Sequence, residues 1–133
     1  MKIKTLDFAG KYGQEKLAIQ IDSYQENQNL YISLWSKEND EFELFTDLTM
    51  NLGEKLKANE SFVKTSAENE GLLSFIIENQ LGTILPEIKR SGYCDFIKIA
   101  FDMKKLAEFD PDGVRKHMKI HDKLMKKKSG PEL

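Results

Sequence analysis

Two histidines four residues apart, His117 and His121, are the first residues whose types and spacing invite a chemical reading. On a helix they share one face, the arrangement in which two imidazoles grip a zinc ion. Zinc needs a third ligand, and the same helix offers only Asp122, about 100° round the axis from His121. Val114, Met118 and Met125 lie on the histidine face, so the pair is expected to pack against the protein body without metal. Cys94 precedes Asp95, whose carboxylate opposes thiolate formation, so this cysteine reads as a packing residue. It is the single cysteine, which excludes an internal disulfide and a cysteine-based zinc site. The acids between Glu38 and Glu43 lack the glycine-centred twelve-residue pattern of a calcium loop. No phosphate-binding glycine loop, dinucleotide fingerprint or nucleophile elbow occurs. The expectation is a non-enzymatic protein with no cofactor.

Charge gives the stronger signal. The net charge is only −2, but it is unevenly placed. Glu38, Asp40, Glu41, Glu43, Asp47, Glu54 and Glu60 face only Lys55 and Lys57 within their stretch. Arg115, Lys116, Lys119, Lys123 and Lys126 to Lys128 face only Asp122 in theirs. Such asymmetry bears on partners and long-range attraction rather than on fold. Glu38, Asp40, Glu41, Glu43 and Asp47 are the candidate partner surface. Lys119, Lys123, Lys126, Lys127 and Lys128 are the candidate phosphate contacts. No aromatic residue accompanies those lysines to stack on bases, so a protein partner is favoured over nucleic acid.

These residues need a scaffold. With 133 residues, 40% hydrophobic and 32% charged, the chain suits one folded domain over residues 1–133. No apolar run reaches the ~18–20 residues of a membrane span, and the N-terminus lacks a secretory signal, so a cytoplasmic location is expected. Glu41 to Leu52 stands out. Phe42, Leu44, Leu48, Met50 and Leu52 share one parity, which predicts a long central strand with one buried face. Alternation also predicts strands at Leu17–Ile21 and Leu30–Leu34, with Tyr31, Trp35 and Phe45 on the face opposite the aliphatic one. An edge strand or arm is expected at Lys2–Phe8, and short strands at Ser61–Thr65 and Phe96–Asp102. Thr65-Ser66-Ala67-Glu68 has capping-box spacing and predicts a helix over about Ala67–Gln80, with Leu72, Leu73, Ile76 and Ile77 inward. Thr83–Gly92 reads as irregular. Asp102 is expected to cap a turn burying Met103, Leu106 and Phe109. Asp110-Pro111 opens a basic C-terminal helix over about 111–129.

Ser91-Gly92-Tyr93, Phe101-Asp102, Leu106, Glu108 and Asp110-Pro111-Asp112-Gly113 follow a recognisable order: a Ser-Gly-aromatic step, an aromatic strand ending in Phe-Asp, then Asp-Pro-acid-Gly. In this segment the chain resembles a family of small bacterial proteins without assigned activity, carried by conjugative and other mobile genetic elements. Leu48-Thr49-Met50-Asn51-Leu52, Phe62-Val63 and Glu78-Asn79-Gln80-Leu81-Gly82 extend the likeness in pieces from about Leu44 to Gly113. Lys64-Thr65-Ser66-Ala67 departs from the Asp-Thr-Asn-Asn that often follows the family's short strand. The resemblance implies a mobile-element context and brings no activity with it.

Taken together, the sequence predicts an α+β domain, an antiparallel meander of four to six strands with two main helices packed on it. The expected function is an accessory protein that binds another macromolecule. The alternatives are an inhibitor of a host nuclease defence acting through its acids, and a nucleic-acid-binding protein using the C-terminal helix.

Overall fold

The computed structural model describes residues 4–10, 13–39, 41–64 and 71–129. The strands run β1 (Thr5–Gly10), β2 (Gly13–Ser23), β3 (Leu30–Glu38), β4 (Glu41–Asp47), β5 (Glu60–Lys64), β6 (Gly82–Ser91) and β7 (Cys94–Phe101). The helices are α1 (Leu72–Glu78), α2 (Met103–Leu106) and α3 (Pro111–Ser129). The expected meander exists as β1-β2-β3-β4, antiparallel throughout, but it is only the first of two sheets. The second is antiparallel with order β5-β7-β6. The antiparallel α+β character therefore holds. The single sheet with two main helices gives way to two sheets and three helices among the described residues, of which only α3 is long.

One apolar core joins these parts. Leu17, Ile19, Ile21, Leu30, Ile32 and Leu34 of the first sheet meet Val63, Ile99 and Phe101 of the second. Leu72, Phe75 and Ile76 of α1 close one side, and Leu106, Phe109 and Val114 close another. The predicted alternation of β2 and β3 is thus realised. In α1 the buried stripe is Leu72, Phe75 and Ile76, while Ile77 is half exposed, a correction to the predicted face. The capping box at Thr65–Glu68 lies outside the described residues. The described helix follows Gly71, whose φ of 99° suits glycine alone.

The stretch Glu41–Leu52 departs most from expectation. It is not one central strand: β4 stops at Asp47 and forms the edge of its sheet. Its register with β3 pairs Leu34 with Thr46 but Trp35 with Leu44, so Phe45 is the extra residue of a bulge. A bulge reverses the parity of everything beyond it. Phe42 and Leu44 therefore turn to the outer face, Leu44 remaining 52% exposed. Phe45 swings to the inner side instead, its ring 5.6 Å from that of Phe8. Phe8 belongs to β1 at the opposite edge, so the sheet curls strongly. Past the bulge, Leu48 is buried as predicted, whereas Met50 is 40% exposed.

Residues 48–50 are the seam between the sheets. Leu48 N–H donates to Ile32 O at 2.8 Å, and Thr49 Oγ1 accepts from Ile32 N–H at 3.1 Å. Two residues on, Met50 N–H donates to Phe62 O of β5 at 2.9 Å. The chain thus leaves β3 and joins β5 within one tripeptide. Thr83–Gly92, read as irregular, forms β6. Its register slips between Ile84 and Ile88 around Pro86, which removes the alternation that marks a strand.

Candidate functional site

β1 covers β2 only as far as Ala18, which pairs with Thr5. Beyond it no described strand covers that side of β2, and the residue that opens α3 takes up one of its amides. Asp110 Oδ2 accepts from Ile21 N–H at 2.9 Å, and its Oδ1 accepts from Gly113 N–H at 3.0 Å. One carboxylate therefore caps the helix and pairs the strand edge. Pro111 occupies the first helical position, where an N–H is dispensable. A Cβ on Gly113 would collide with the Ile21 carbonyl oxygen and with the Asp110 carboxylate. The Asp-Pro-acid-Gly sequence is thereby explained as a docking device. Asp102 acts locally in the predicted way, its carboxylate accepting from the Lys104 and Lys105 amides.

One and two turns further on, His117 and His121 face the same strand and the turn after it. His117 Nε2 is 2.7 Å from Ala58 O, and its Nδ1 is 2.5 Å from Ser23 Oγ. A carbonyl can only accept, so Nε2 carries the proton and Nδ1 accepts from the serine hydroxyl. Burial pushes the His117 pKa below its ordinary value, and the neighbouring His121 acts in the same direction. The Ala58 carbonyl and the Asp22 carboxylate oppose that shift. His121 Nε2 meets Gln28 O at 2.5 Å, and the two imidazole rings lie 4.6 Å apart. Both histidines are buried. Among the described residues no group of three or more His, Cys, Asp or Glu side chains could hold a metal ion.

The acidic candidates separate. Glu41 and Glu43 lie exposed on β4. Asp47, at the end of that strand, accepts a hydrogen bond from Tyr31 Oη at 2.7 Å, and this bond pushes the Tyr31 pKa up to about 12. Tyr31 stacks on Tyr24, whose hydroxyl reaches Thr49. Asp47 therefore has a structural partner as well as an exposed position. Glu38 ends β3 opposite Glu41, but its side chain, and Asp40 altogether, lie outside the described residues. Of the basic candidates, Lys119 is exposed on α3. Lys123, Lys126, Lys127 and Lys128 lie within the span of α3, with side chains outside those described. The structure thus places the acids and these lysines on different elements.

A feature absent from the sequence reading lies beside β4. The outer face of the first sheet and the α2–α3 corner enclose a cleft of about 740 Å³, open to solvent. Trp35 and Phe42 form one wall, Phe109 and Pro111 the other. A smaller hollow of about 160 Å³ adjoins Asn39, Glu41, Phe42 and Glu43. The alternation of β3 does put Trp35 outward; only the bulge, invisible in sequence, brings Phe42 to the same face. On the second sheet, Lys98 is buried and ion-paired with Glu87 at 2.6 Å, a hydrogen bond that raises its pKa. Cys94 is partly buried and packs beside Phe62, Phe96 and Leu56.

These features define a small antiparallel α+β protein with a sealed helix–strand junction and an open acidic strand. No helix among the described residues is long and apolar enough to cross a membrane. The chain belongs to the family described as a domain of unknown function (DUF4313), whose pattern matches residues 18–120. That span takes in β3, β4, the seam and the Asp110–Gly113 junction. Comparison with curated proteins and with solved structures gave no match.

Proposed function

We propose that this chain is a non-enzymatic accessory protein of a bacterial mobile genetic element that acts by binding another protein through β4. The observation that carries the reading is the state of that strand. It pairs with β3 on one side, no described strand flanks it on the other, and it exposes Glu41, Glu43, Leu44 and Phe45. A strand edge with free amides and carbonyls is a template for pairing, and charges along it select the partner. The mobile-element context is supported by the resemblance at Ser91–Gly113. The test is capture from host extract by the immobilised chain, compared with a Glu41→Lys/Glu43→Lys variant. A bound protein lost in the variant is the expected result. Capture unaffected by charge reversal counts against the strand.

The exposure of Glu41 and Glu43 also favours a second reading, an inhibitor that presents carboxylates to the basic groove of a host nuclease. Capture of a nuclease, with loss of its cutting activity, distinguishes it. A nucleic-acid role for α3 has Lys119 in its support. It requires duplex binding that weakens with salt and in a Lys126→Gln/Lys127→Gln/Lys128→Gln variant. We expect none in ~0.15 M salt, where the Debye length is ~8 Å.

A further inference from the structure

The second sheet ends on β6, which pairs with β7 and with no other described strand. Its opposite margin, β5, is met by Met50 at the seam. Ile84 pairs with Ile99 and Ile88 with Ile97, so both isoleucines continue the core side of the sheet out to its margin. There the cover runs out. Ile88 is 68% exposed, and Ile77 of α1, the helix that adjoins β6, is half exposed as well. Glu87 and Lys89 turn to the other side of the sheet. Glu87 Oε2 lies 2.6 Å from Lys98 Nζ, and the ammonium groups of Lys89 and Lys98 each stand 5.8 Å from the centre of the Phe62 ring. From 87 to 89 the margin therefore reads acid, exposed isoleucine, base.

We propose that β6 joins two copies of this chain, antiparallel to each other about a two-fold axis at Ile88. This is independent of the role given to β4. An uncovered strand margin accepts an added strand, and around Ile88 the sequence is its own complement. In such a pair facing residues must share a side of the sheet, so the axis passes through a residue position. An axis at Glu87, Lys89 or Arg90 would set that residue's charge against itself. An axis at Pro86 would put a residue without an N–H at the middle of the ladder, where the register with β7 is already broken. At Ile88, Glu87 of each copy stands opposite Lys89 of the other, and the two isoleucines meet on the core side. The partners these charges have within the chain leave room for this. Glu87 bonds Lys98 through Oε2 while its side chain stays 61% exposed, and Lys89 meets Glu54 only at 3.5 Å. Charge thus selects the register, and the isoleucines supply the apolar burial. The order β5-β7-β6 then continues through β6 and β7 to β5 of the second copy. The ladder from Pro86 to Arg90 is short, so monomer and dimer are expected in equilibrium.

Sedimentation velocity of the full chain over a dilution series reads the oligomeric state directly. The parent is expected to shift toward dimer as concentration rises. Ile88→Lys brings two ammonium groups together at the axis, and Lys89→Glu sets a carboxylate against Glu87. Each change acts twice across the two-fold, so each should weaken dimerisation about a hundredfold or more. Thermal melting of dilute samples checks that both variants fold. A cross-link tests the axis itself. In a Cys94→Ala background, Ile88→Cys should form an intermolecular disulfide, because residues facing each other at the axis lie within reach of one. Tyr93→Cys, on the fully exposed hairpin tip, should not, since its two copies would stand roughly 30 Å apart at ~3.3 Å per residue. A chain monomeric at every concentration, or a dimer undiminished in both Ile88→Lys and Lys89→Glu, would overturn the proposal. Equal cross-linking at the two cysteine positions would overturn the axis at Ile88. A dimer kept in Ile88→Lys but lost in Glu41→Lys/Glu43→Lys would move self-association to β4 and overturn the role of β6.

Discussion

Along β2, the strip Ile19–Ser23 runs past the start of β1; along β4, the strip Glu41–Asp47 runs outside β3. Both are edges of one sheet, and both carry acids next to apolar residues. The β2 strip is closed. Asp110 takes the Ile21 amide, Ser23 bonds His117, and the carbonyl of Gln28 beyond it meets His121. On the side away from β3, the β4 strip meets no described strand, and it shows carboxylates to water. The difference teaches how to divide conspicuous residues. The Asp-Pro-acid-Gly step and the histidine pair have the look of chemistry, yet Asp110, His117 and His121 Nε2 make the hydrogen bonds that dock α3. Glu41 and Glu43 match no motif, and they lie where a partner can reach.

The sharpest way to break this comparison is Gly113→Ala. The methyl group would meet the Ile21 carbonyl oxygen and the Asp110 carboxylate, so α3 must back away from β2. Overpacking costs ~1–3 kcal/mol, and an unpaired buried amide adds ~1–3 kcal/mol, so a total of about 3 kcal/mol or more is expected. Urea denaturation measures it. A change below ~0.5 kcal/mol, the usual range for surface substitutions, would show that the β2 edge is not sealed as described.

A smaller effect sharpens the same contrast through pH. His117 is neutral and buried, and its folded pKa is lowered, chiefly by burial. The unfolded imidazole takes up its proton near pH ~6.5, while the folded one resists. Stability from this group is therefore complete above that pH. It falls as pH drops toward the folded pKa, by at most ~1.4 kcal/mol per pH unit. Denaturation curves between pH ~7.5 and ~5 should show the slope, and His117→Gln should flatten it. An equal slope in the variant would assign the pH dependence to other groups.

How far the sequence foretold this depends on whether the chain obeys one period. β2 and β3 alternate without interruption, and Asp102 and Asp110 cap what they precede, so these elements were legible. So was the inward face of Val114, His117 and His121, because α3 keeps the helical period. The bulge at Phe45 was not. A bulge inserts one residue without any change in composition, and the even parity of Phe42, Leu44 and Leu48 survives in sequence while it breaks in space. The seam at Leu48–Met50 was hidden for a related reason, since a strand passed between two sheets reads like one strand. In β6, Pro86 and the shifted register removed the alternation, leaving Ile84 and Ile88 exposed and without a visible period. As for the site, Glu41 and Glu43 were legible as charges, but the cleft was not, because it needs Phe42 on the face of Trp35.

The smallest stability effects belong to β4, and they carry the other half of the comparison. Leu44 is half exposed on the outer face, so Leu44→Ala should cost less than ~1 kcal/mol, against ~2–5 kcal/mol for a leucine in a core. Glu41→Lys/Glu43→Lys should stay within ~0.5 kcal/mol of the parent, because exposed charges contribute little to folding. A functional edge separates stability from binding: the charge reversal should leave the melting temperature in place while slowing association with a basic partner. Exposed charges act mainly on encounter, so the loss should appear in the association rate and shrink as salt is raised. If the reversal instead lowers the melting temperature by several degrees, the carboxylates belong to the fold. β4 would then be tied into the protein body no less than the edge under α3, and the contrast between the two edges would collapse.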